Sequence, residues 1–581
     1  MTFLPAWANQ LQELFCSCSA SQFILYGSVF DVVPYSDEKT GKTVFLPLKE
    51  FLDEIMLQNY DCVIHYDRGK GITASRGEKE WTGWLVSVTG DRSSDLVMQN
   101  ARIPFYALQL IDGFILKTLH LQTIRGQEKG YAPYKLAVVI DFAQFVAPRG
   151  DSLQLSGDIA SHVVKILSWA NDPSIINSNI AIFLITEKLN DLNHLITDNP
   201  ATARIELLLP QENEMEDYLR YLHGTSFPDL EKQSDMTLKE MAGKLRGLSR
   251  ISAHHIIASV LKNRKRITVS FLMDLKKERI EKECQNLLEF FQTDFNLDYI
   301  AGHAPAKKWL RQDAALLRAG KTHALPMGYL ITGRIGTGKT YLVECWSGEL
   351  GIPCVVLKNF RDKWVGATES NLETIFSILR ALGQVIVFID EADQMTGKRE
   401  SGTGDSGLSG RVYAMLAKEM SNTRNRGKII WILATSRPDL LEVDLKRQGR
   451  LDVHIPLFPP QTTSEIRQLF ISVSKKIQFP LGEKDLPSFP KGFLLSGNEI
   501  EGILIRALRI FELQGKPKSS LPVILRSVIK KMKLRVQTGK LEYMDWIAVK
   551  ECTDALFLPP AYAKYSAEEV EKKIESLKKY V

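Results

Sequence analysis

The sequence lacks a long apolar run. In 581 residues no uninterrupted stretch approaches the ~18 apolar residues of a bilayer-crossing helix, so no membrane partner is expected. The first residues, Met1-Thr-Phe-Leu-Pro-Ala-Trp7, lack the basic start and apolar core of a secretory signal, which predicts a cytoplasmic protein. Cysteine is scarce and scattered. The seven residues Cys16, Cys18, Cys62, Cys284, Cys345, Cys354 and Cys552 form no C-x-x-C pair, which excludes a zinc ribbon and a disulfide framework. H-E-x-x-H is absent as well, so any proteolysis would need a separate partner. The net charge of +6 is small for this length. Its densest part, Gly515 to Lys550, holds nine Lys and Arg against Glu542 and Asp545 alone, without aromatic interleaving. That pattern suits a solvated helical face better than a nucleic-acid contact, which stays open as the alternative.

A hydrophobic fraction of 44% and a charged fraction of 24% describe an ordinary globular chain, long enough for several domains. Its most specific segment is Gly333-Arg-Ile-Gly-Thr-Gly-Lys-Thr340, a complete G-x-x-x-x-G-K-[ST] phosphate loop. The apolar run Gly328–Thr332 precedes it and a helix start at Tyr341 follows, the strand–loop–helix context that the motif requires. Glycines let backbone amides turn inward around phosphate oxygens, and the helix N-terminus favours negative charge. Gly333, Gly336, Thr337, Gly338, Lys339, Thr340 and Tyr341 are therefore the expected nucleotide-binding residues. Lys339 would reach the β- and γ-phosphates of ATP, and the Thr340 hydroxyl would ligate Mg²⁺.

Some 57 residues beyond Gly333, the run Val385-Ile-Val-Phe-Ile389 ends in Asp390-Glu391. Such a run reads as a buried parallel strand. Asp390 is placed to hold Mg²⁺ and Glu391 to orient or deprotonate the attacking water. A further strand, Lys428–Thr435, leads into Ser436, and Arg447-Gln-Gly-Arg450-Leu-Asp452 precedes the strand Val453–Leu457.

Together these segments resemble the AAA+ ATPases, in particular the protein-remodelling branch with the proteasomal ATPases and membrane-fusion unfoldases. The resemblance implies that Arg447 and Arg450 act as fingers on the neighbouring subunit's nucleotide, and hence a homo-oligomeric ring, a hexamer. It implies that Ser436 (or Thr435) positions water. It also makes Lys363-Trp-Val-Gly366 similar to a first pore loop, with Trp364 and Val365 gripping a protein substrate, and the glycine-rich segment 402–411 similar to a second. The chain departs from the family pattern in three places: Ser436 stands for the usual Asn, Arg334-Ile335 for Pro-Pro, and Asn498 for Ala near the lid helix.

The first half echoes the second. From Asp141 to Thr186 is 45 residues, as from Asp390 to Thr435. Ala203–Pro210 parallels Gly449–Pro456, which pairs Arg204 with Arg450, and Gly247–Ala253 parallels Leu494–Ile500. The first copy reads as chemically dead: Phe142 follows Asp141, and Gly27–Pro34 carries no Gly-Lys-Thr. Gly41-Lys-Thr43 has Ser36 where the first glycine belongs and is rejected. Phe45 to Ile115 looks like extra material whose aromatic part, Tyr66 to Trp84, would be a partner surface. Asp274–Phe291 has the spacing of an amphipathic connector helix, and Ser566 with Glu569 forms a capping box for a last helix.

The expected fold is α/β: a P-loop NTPase parallel sheet with a helical lid, in two tandem AAA-like modules of which the first is degenerate. The expected parts are 1–210 (degenerate module), 211–272 (lid-like helices), 273–293 (helical linker), 294–460 (ATPase large subdomain) and 461–581 (helical lid and tail). The expected function is a Mg-dependent ATPase motor that remodels, threads or loads a protein. A nucleic-acid-handling relative and an ATP-gated assembly scaffold are the alternatives.

Overall fold

The computed structural model describes residues 4–36, 42–90, 101–125, 133–150, 156–262, 266–284, 287–291, 293, 295–358, 368–396, 406–479, 481–489, 495–514, 520–531 and 538–581. The chain divides into two compact units, Met1–Ile280 with Glu369–Ala381, and Glu281–Thr368 with Leu382–Val581.

In the first unit the strands are β1 (Gln22–Gly27), β2 (Val32–Ser36), β3 (Thr43–Pro47), β4 (Cys62–Asp67), β5 (Gly71–Arg76), β6 (Leu136–Ile140), β7 (Ile180–Ile185) and β8 (Thr202–Leu207). Six of them form one sheet in the order β5-β4-β6-β7-β1-β8, parallel except for β5, while β2 and β3 pair as a separate hairpin. Uninterrupted apolar runs such as Leu136–Ile140 suit strands covered on both faces. Val138 and Ile140 join one core cluster with Trp81 and Phe114; Ala137 and Val139 join the other with Phe23 and Phe51. The helices Glu212–Thr225, Leu238–Lys244, Arg250–Lys262 and Val269–Glu283 follow the sheet.

In the second unit β9 (Leu288–Phe291), β10 (Gly328–Thr332), β11 (Cys354–Leu357), β12 (Val385–Ile389), β13 (Ile429–Thr435) and β14 (Val453–Pro456) form a sheet in the order β14-β10-β13-β12-β11-β9, with β9 antiparallel. Strand for strand this order matches the first sheet: β8 with β14, β1 with β10, β7 with β13, β6 with β12, β4 with β11. Each sheet also ends in one antiparallel edge strand. The α/β duplication expected from the spacing is present in the topology. Behind the sheet, the helices Thr463–Lys476, Gly497–Gln514 and Leu521–Lys531 share one core, and Thr538–Glu551 and Ala567–Leu577 share another with Phe458. The last of these starts at the expected Ser566–Glu569 capping box.

Three sequence expectations need correction. The stretch 45–115 is not extra material, because β4 within it lies between β5 and β6 and is the counterpart of β11. Its aromatics are core: Tyr66, Trp81 and Trp84 are 0%, 3% and 9% exposed. The helix Glu78–Thr89 places Trp81, Trp84 and Leu85 on one face, and both indoles pack on Phe114 at 5.2 and 5.3 Å. The connector helix also stops early, at Glu283. Leu288–Phe291 is drawn into β9 because pairing with Leu357–Cys354 satisfies backbone groups at the sheet edge. Nor is that helix free-standing: Leu272, Lys276 and Ile280 are buried, and Lys276 Nζ donates to the Lys244 carbonyl at 2.8 Å. Third, strand register moves Arg204. Gly27 and Gly333 occupy the same place, so Leu207 corresponds to Leu457 and Arg204 to His454, not to Arg450.

Candidate functional site

The loop after β10 is shaped by its glycines. Gly333, Gly336 and Gly338 have φ of 141°, 83° and 86°, values that L side chains rarely adopt. A Cβ at Gly333 would run into the Leu457 carbonyl oxygen that closes the sheet beside it. The helix Lys339–Leu350 starts directly at the last glycine, so its free N–H groups face the loop. Lys339 Nζ donates to Gly333 O at 2.8 Å, Arg334 O at 3.1 Å and Ser436 Oγ at 2.9 Å. Burial pulls its pKa down to about 8, against the opposing pull of Asp390, Asp393 and Glu391. A phosphate arriving here would exchange three neutral acceptors for charged ones and restore the full ammonium.

Beside the lysine, Thr340 Oγ1 donates to Asp390 Oδ2 at 2.7 Å, and the Glu391 amide donates to Asp390 Oδ1 at 2.9 Å. Glu391 itself holds a φ of 48°, which turns its exposed carboxylate out of the strand line. Thr435 Oγ1 donates to Asp393 Oδ1 at 2.5 Å and accepts from the Arg437 amide at 2.9 Å. Asp393 is a member that motif reasoning passed over. The structure thus brings together Lys339, Thr340, Asp390, Glu391 and Ser436, which come from three separate strand ends. Arg447 and Arg450 lie elsewhere: both engage Asp444, at 3.3 and 3.6 Å, with side chains 69% and 20% exposed. Trp364, Val365 and residues 402–405 lie outside the described residues.

A cavity of about 580 Å³ adjoins the loop at Gly336, Thr337 and Gly338, and Tyr341, His303 and Asn498 line it. Tyr341 carries Lys476 Nζ 5.3 Å above its ring. Burial lowers His303 to about 4, so this imidazole is neutral at physiological pH. The lid reaches the loop through the Gly497 amide, which donates to Gly336 O at 2.9 Å. Sequence spacing could not reveal His303, since it comes from the turn before the helix Ala304–Arg318.

The first unit keeps the frame with different side chains at the loop. Gly27 (φ 94°) repeats Gly333, and its missing Cβ would meet Leu207 O, the counterpart of Leu457 O. Phe142 repeats the left-handed turn of Glu391, with φ 52°, and sets its ring 5.7 Å from Phe30 where the second unit has a carboxylate. Where the second unit starts a helix at Lys339, the first enters the β2–β3 hairpin, so its loop does not run directly into a helix. Asp31 fills the gap. It is 5% exposed and accepts from the Arg250 and Ile251 amides, both at 3.0 Å, with the Arg250 guanidinium 3.5 Å away. An internal carboxylate thus sits on the lid-like helix Arg250–Lys262. Asp141, the counterpart of Asp390, faces His65 at 3.8 Å, and His65 Nε2 meets Asp53 at 2.8 Å. Burial opposes charge on His65, but Asp141 and Asp53 outweigh it and raise its pKa.

Comparison with known families follows the same division. Residues 2–207 match the AAA+ chaperone N-terminal Rossmann-like domain, 213–285 the AAA+ chaperone second helical domain, and 329–458 the ATPase family associated with various cellular activities. The chain belongs to the AAA+ ATPases. The helical match runs through Val269–Glu283, which groups that helix with the first module's helical domain. This AAA+ chain is similar to the cell division cycle protein 48 homolog of Archaeoglobus fulgidus, 24% identical over 66% of the chain and 55% of the relative. It is similar to the ATP-dependent zinc metalloprotease FtsH of Burkholderia pseudomallei, 33% identical over 31% of the chain and 28% of the relative. A third relative is the peroxisomal ATPase PEX1 of Arthrobotrys oligospora, 30% identical over 32% of the chain and 15% of the relative. The AAA+ chain spans about half or less of the length of these curated relatives. Among its described residues, no helix is long and apolar enough to cross a membrane.

Proposed function

We propose that this chain is an ATP-hydrolysing motor that remodels a protein substrate as a hexameric ring, with one catalytic nucleotide site per subunit, in the second module. The observation that carries this reading is the convergence of Lys339, Thr340, Asp390, Glu391 and Ser436 on one loop, beside a cavity large enough for a nucleoside. In this reading Lys339 leaves the two loop carbonyls to bind the β- and γ-phosphates. Ser436, already 2.9 Å from Lys339, lies at the γ-phosphate end. Glu391 takes the proton of the attacking water, and its backbone turn aims it there. Thr340 and Asp390 would hold Mg²⁺: they offer two hard oxygens and leave the remaining ligands to phosphate and water, which suits that ion. The ion supplies charge neutralisation at the phosphates. Among the described residues no cluster of three or more His, Cys, Asp or Glu could bind a metal by itself. Arg447 and Arg450, which engage Asp444 in their own subunit, act on the neighbour's nucleotide. Trp364 and Val365 grip the threaded polypeptide. One of the relatives, FtsH, is by name an ATP-dependent metalloprotease, which supports the protein rather than the nucleic-acid reading.

Glu391→Gln tests it. The variant should bind a fluorescent ATP analogue as the parent does and lose about 10²–10⁴ in single-turnover hydrolysis. Hydrolysis at the parental rate would end the motor reading. Full biological activity without hydrolysis would leave a scaffold.

A further inference from the structure

The phosphate loop is held from outside the AAA match. Arg334, where the family pattern has proline, does two jobs. Its carbonyl accepts from Lys339 Nζ at 3.1 Å and from Thr337 Oγ1 at 2.9 Å, so it fixes the catalytic lysine and the turn of the loop. Its guanidinium lies 3.6 Å from Asp545 Oδ2, on the C-terminal helix Thr538–Glu551, with side chains only 13% and 6% exposed. The match to the AAA family ends at residue 458, well before that helix. Asp545 has little other support. Tyr562 donates from 3.5 Å, and Asp545 Oδ1 is buried with no hydrogen-bond partner among the described residues. A buried carboxylate this poorly satisfied depends on its one cation, and the cation depends on it.

The helix that presents Asp545 is itself anchored. Trp546 packs edge-on to Tyr562 and Tyr565, at 5.3 and 5.0 Å, and Tyr562 stacks on Phe458 at 4.6 Å. Glu551, at the far end, holds Lys446 at 2.6 Å. Asp545 therefore acts from a fixed platform.

We propose that Asp545 is a positioning residue for the nucleotide site: its carboxylate holds Arg334 and so keeps the phosphate loop in the form that receives ATP. The proposal rests on the ATP-binding reading above and deepens it, since it makes ATP affinity depend on a charge supplied by the C-terminal tail. Burial pushes the Asp545 carboxyl up to about 6, against the pull of Arg334 and the Tyr562 hydrogen bond, with Glu542 adding to the rise. Below that pH the carboxyl takes a proton and Arg334 is released. ATP affinity then falls. Stability moves the other way: a folded-state value above the ordinary carboxylate one means that this group stabilises the fold at low pH and ceases to as pH rises through about 6. An aspartate that merely packed would not couple its titration to ATP affinity.

The test uses the full chain with Mg²⁺, a fluorescent ATP analogue and steady-state hydrolysis from about pH 5 to about pH 8, bracketing the value expected for Asp545. Asp545→Asn should raise KM for ATP about tenfold near neutral pH with kcat changed by less than about twofold. It should also flatten the part of the acid limb that the parent shows beyond the γ-phosphate's own titration. Arg334→Gln should reproduce the KM effect, and the double variant should be no worse than either single one. A KM within about twofold of the parent, with the acid limb intact, overturns the proposal. If Asp545→Asn does not fold, Arg334→Gln gives the same reading alone. A parent that binds no ATP overturns the functional reading and this proposal together; a parent that binds ATP beside unchanged variants overturns only this one.

Discussion

Gly333 and Gly27 show how much of one residue's role is visible from its neighbours. Both have positive φ, and both lie against the carbonyl oxygen of a leucine at or just past the end of the neighbouring strand. Alanine at either position strains the backbone by roughly 1–3 kcal/mol. The consequences should separate. Gly333→Ala should abolish binding of the ATP analogue, because the strained loop carries Lys339. Gly27→Ala should lower the midpoint of thermal unfolding while ATP affinity stays within about twofold, since no nucleotide chemistry stands behind it. The residues of the phosphate loop were legible in the sequence because their spacing encodes a local backbone path. Asp393, His303 and Asp545 were not, because each reaches the site through the fold rather than along the chain. Asp545 was visible only as one of two acids in a basic stretch.

At the scale of elements, a lid-like helix in each unit meets the loop after the first central strand by different chemistry. In the second unit the contact is one backbone hydrogen bond, from Gly497 to Gly336. In the first it is a buried ion pair with two backbone donors, Arg250 with Asp31. Arg250→Met should cost about 3–5 kcal/mol in urea unfolding, because it leaves the Asp31 carboxylate buried without its cation. Adding Asp31→Leu should recover a large part of that loss, since an apolar pair carries no unpaired charge. If the double variant is no more stable than the single one, the pair is not what holds this helix. Strands with uninterrupted apolar runs, such as β6, β7, β12 and β13, were readable because burial on both faces leaves no other composition. β4 escaped because Cys62-Val-Ile-His-Tyr-Asp67 mixes polar residues into a central strand: His65 is buried there beside Asp53 and Asp141. β9 escaped because its charged flank continues a helical pattern, and only the partner strand shows otherwise.

For the whole molecule, the repeated strand order makes the chain two copies of one frame, with the complete phosphate-loop motif in one. Arg447 and Arg450 both engage Asp444, and among the described residues neither has a hydrogen bond or ion pair with Lys339, Asp390 or Glu391, as a site completed by a second subunit would need. Mixing Lys339→Ala chains with Arg450→Ala chains should therefore give ATP hydrolysis above that of either parent alone, by roughly an order of magnitude given the effect of finger arginines. A mixture no more active than the sum of its parts would place both groups in the same chain's site. The order of strands was legible from spacing, but the register was not. The four-residue shift that moves Arg204 away from the position of Arg450 lies within the tolerance of any spacing argument, yet it decides whether a finger exists.

The second sheet takes its outer strand from the chain that runs ahead of its phosphate loop. β9 covers the free edge of β11 over Cys354–Leu357. A fragment begun at residue 294 leaves that edge bare, with the outward-facing N–H and C=O groups of Cys354–Leu357 unpaired and open to any passing strand. Such a fragment would hold every catalytic side chain named above and still tend to self-associate through its sheet edge. The half of this chain that carries the phosphate loop is thus separable only upstream of Leu288, where β9 begins.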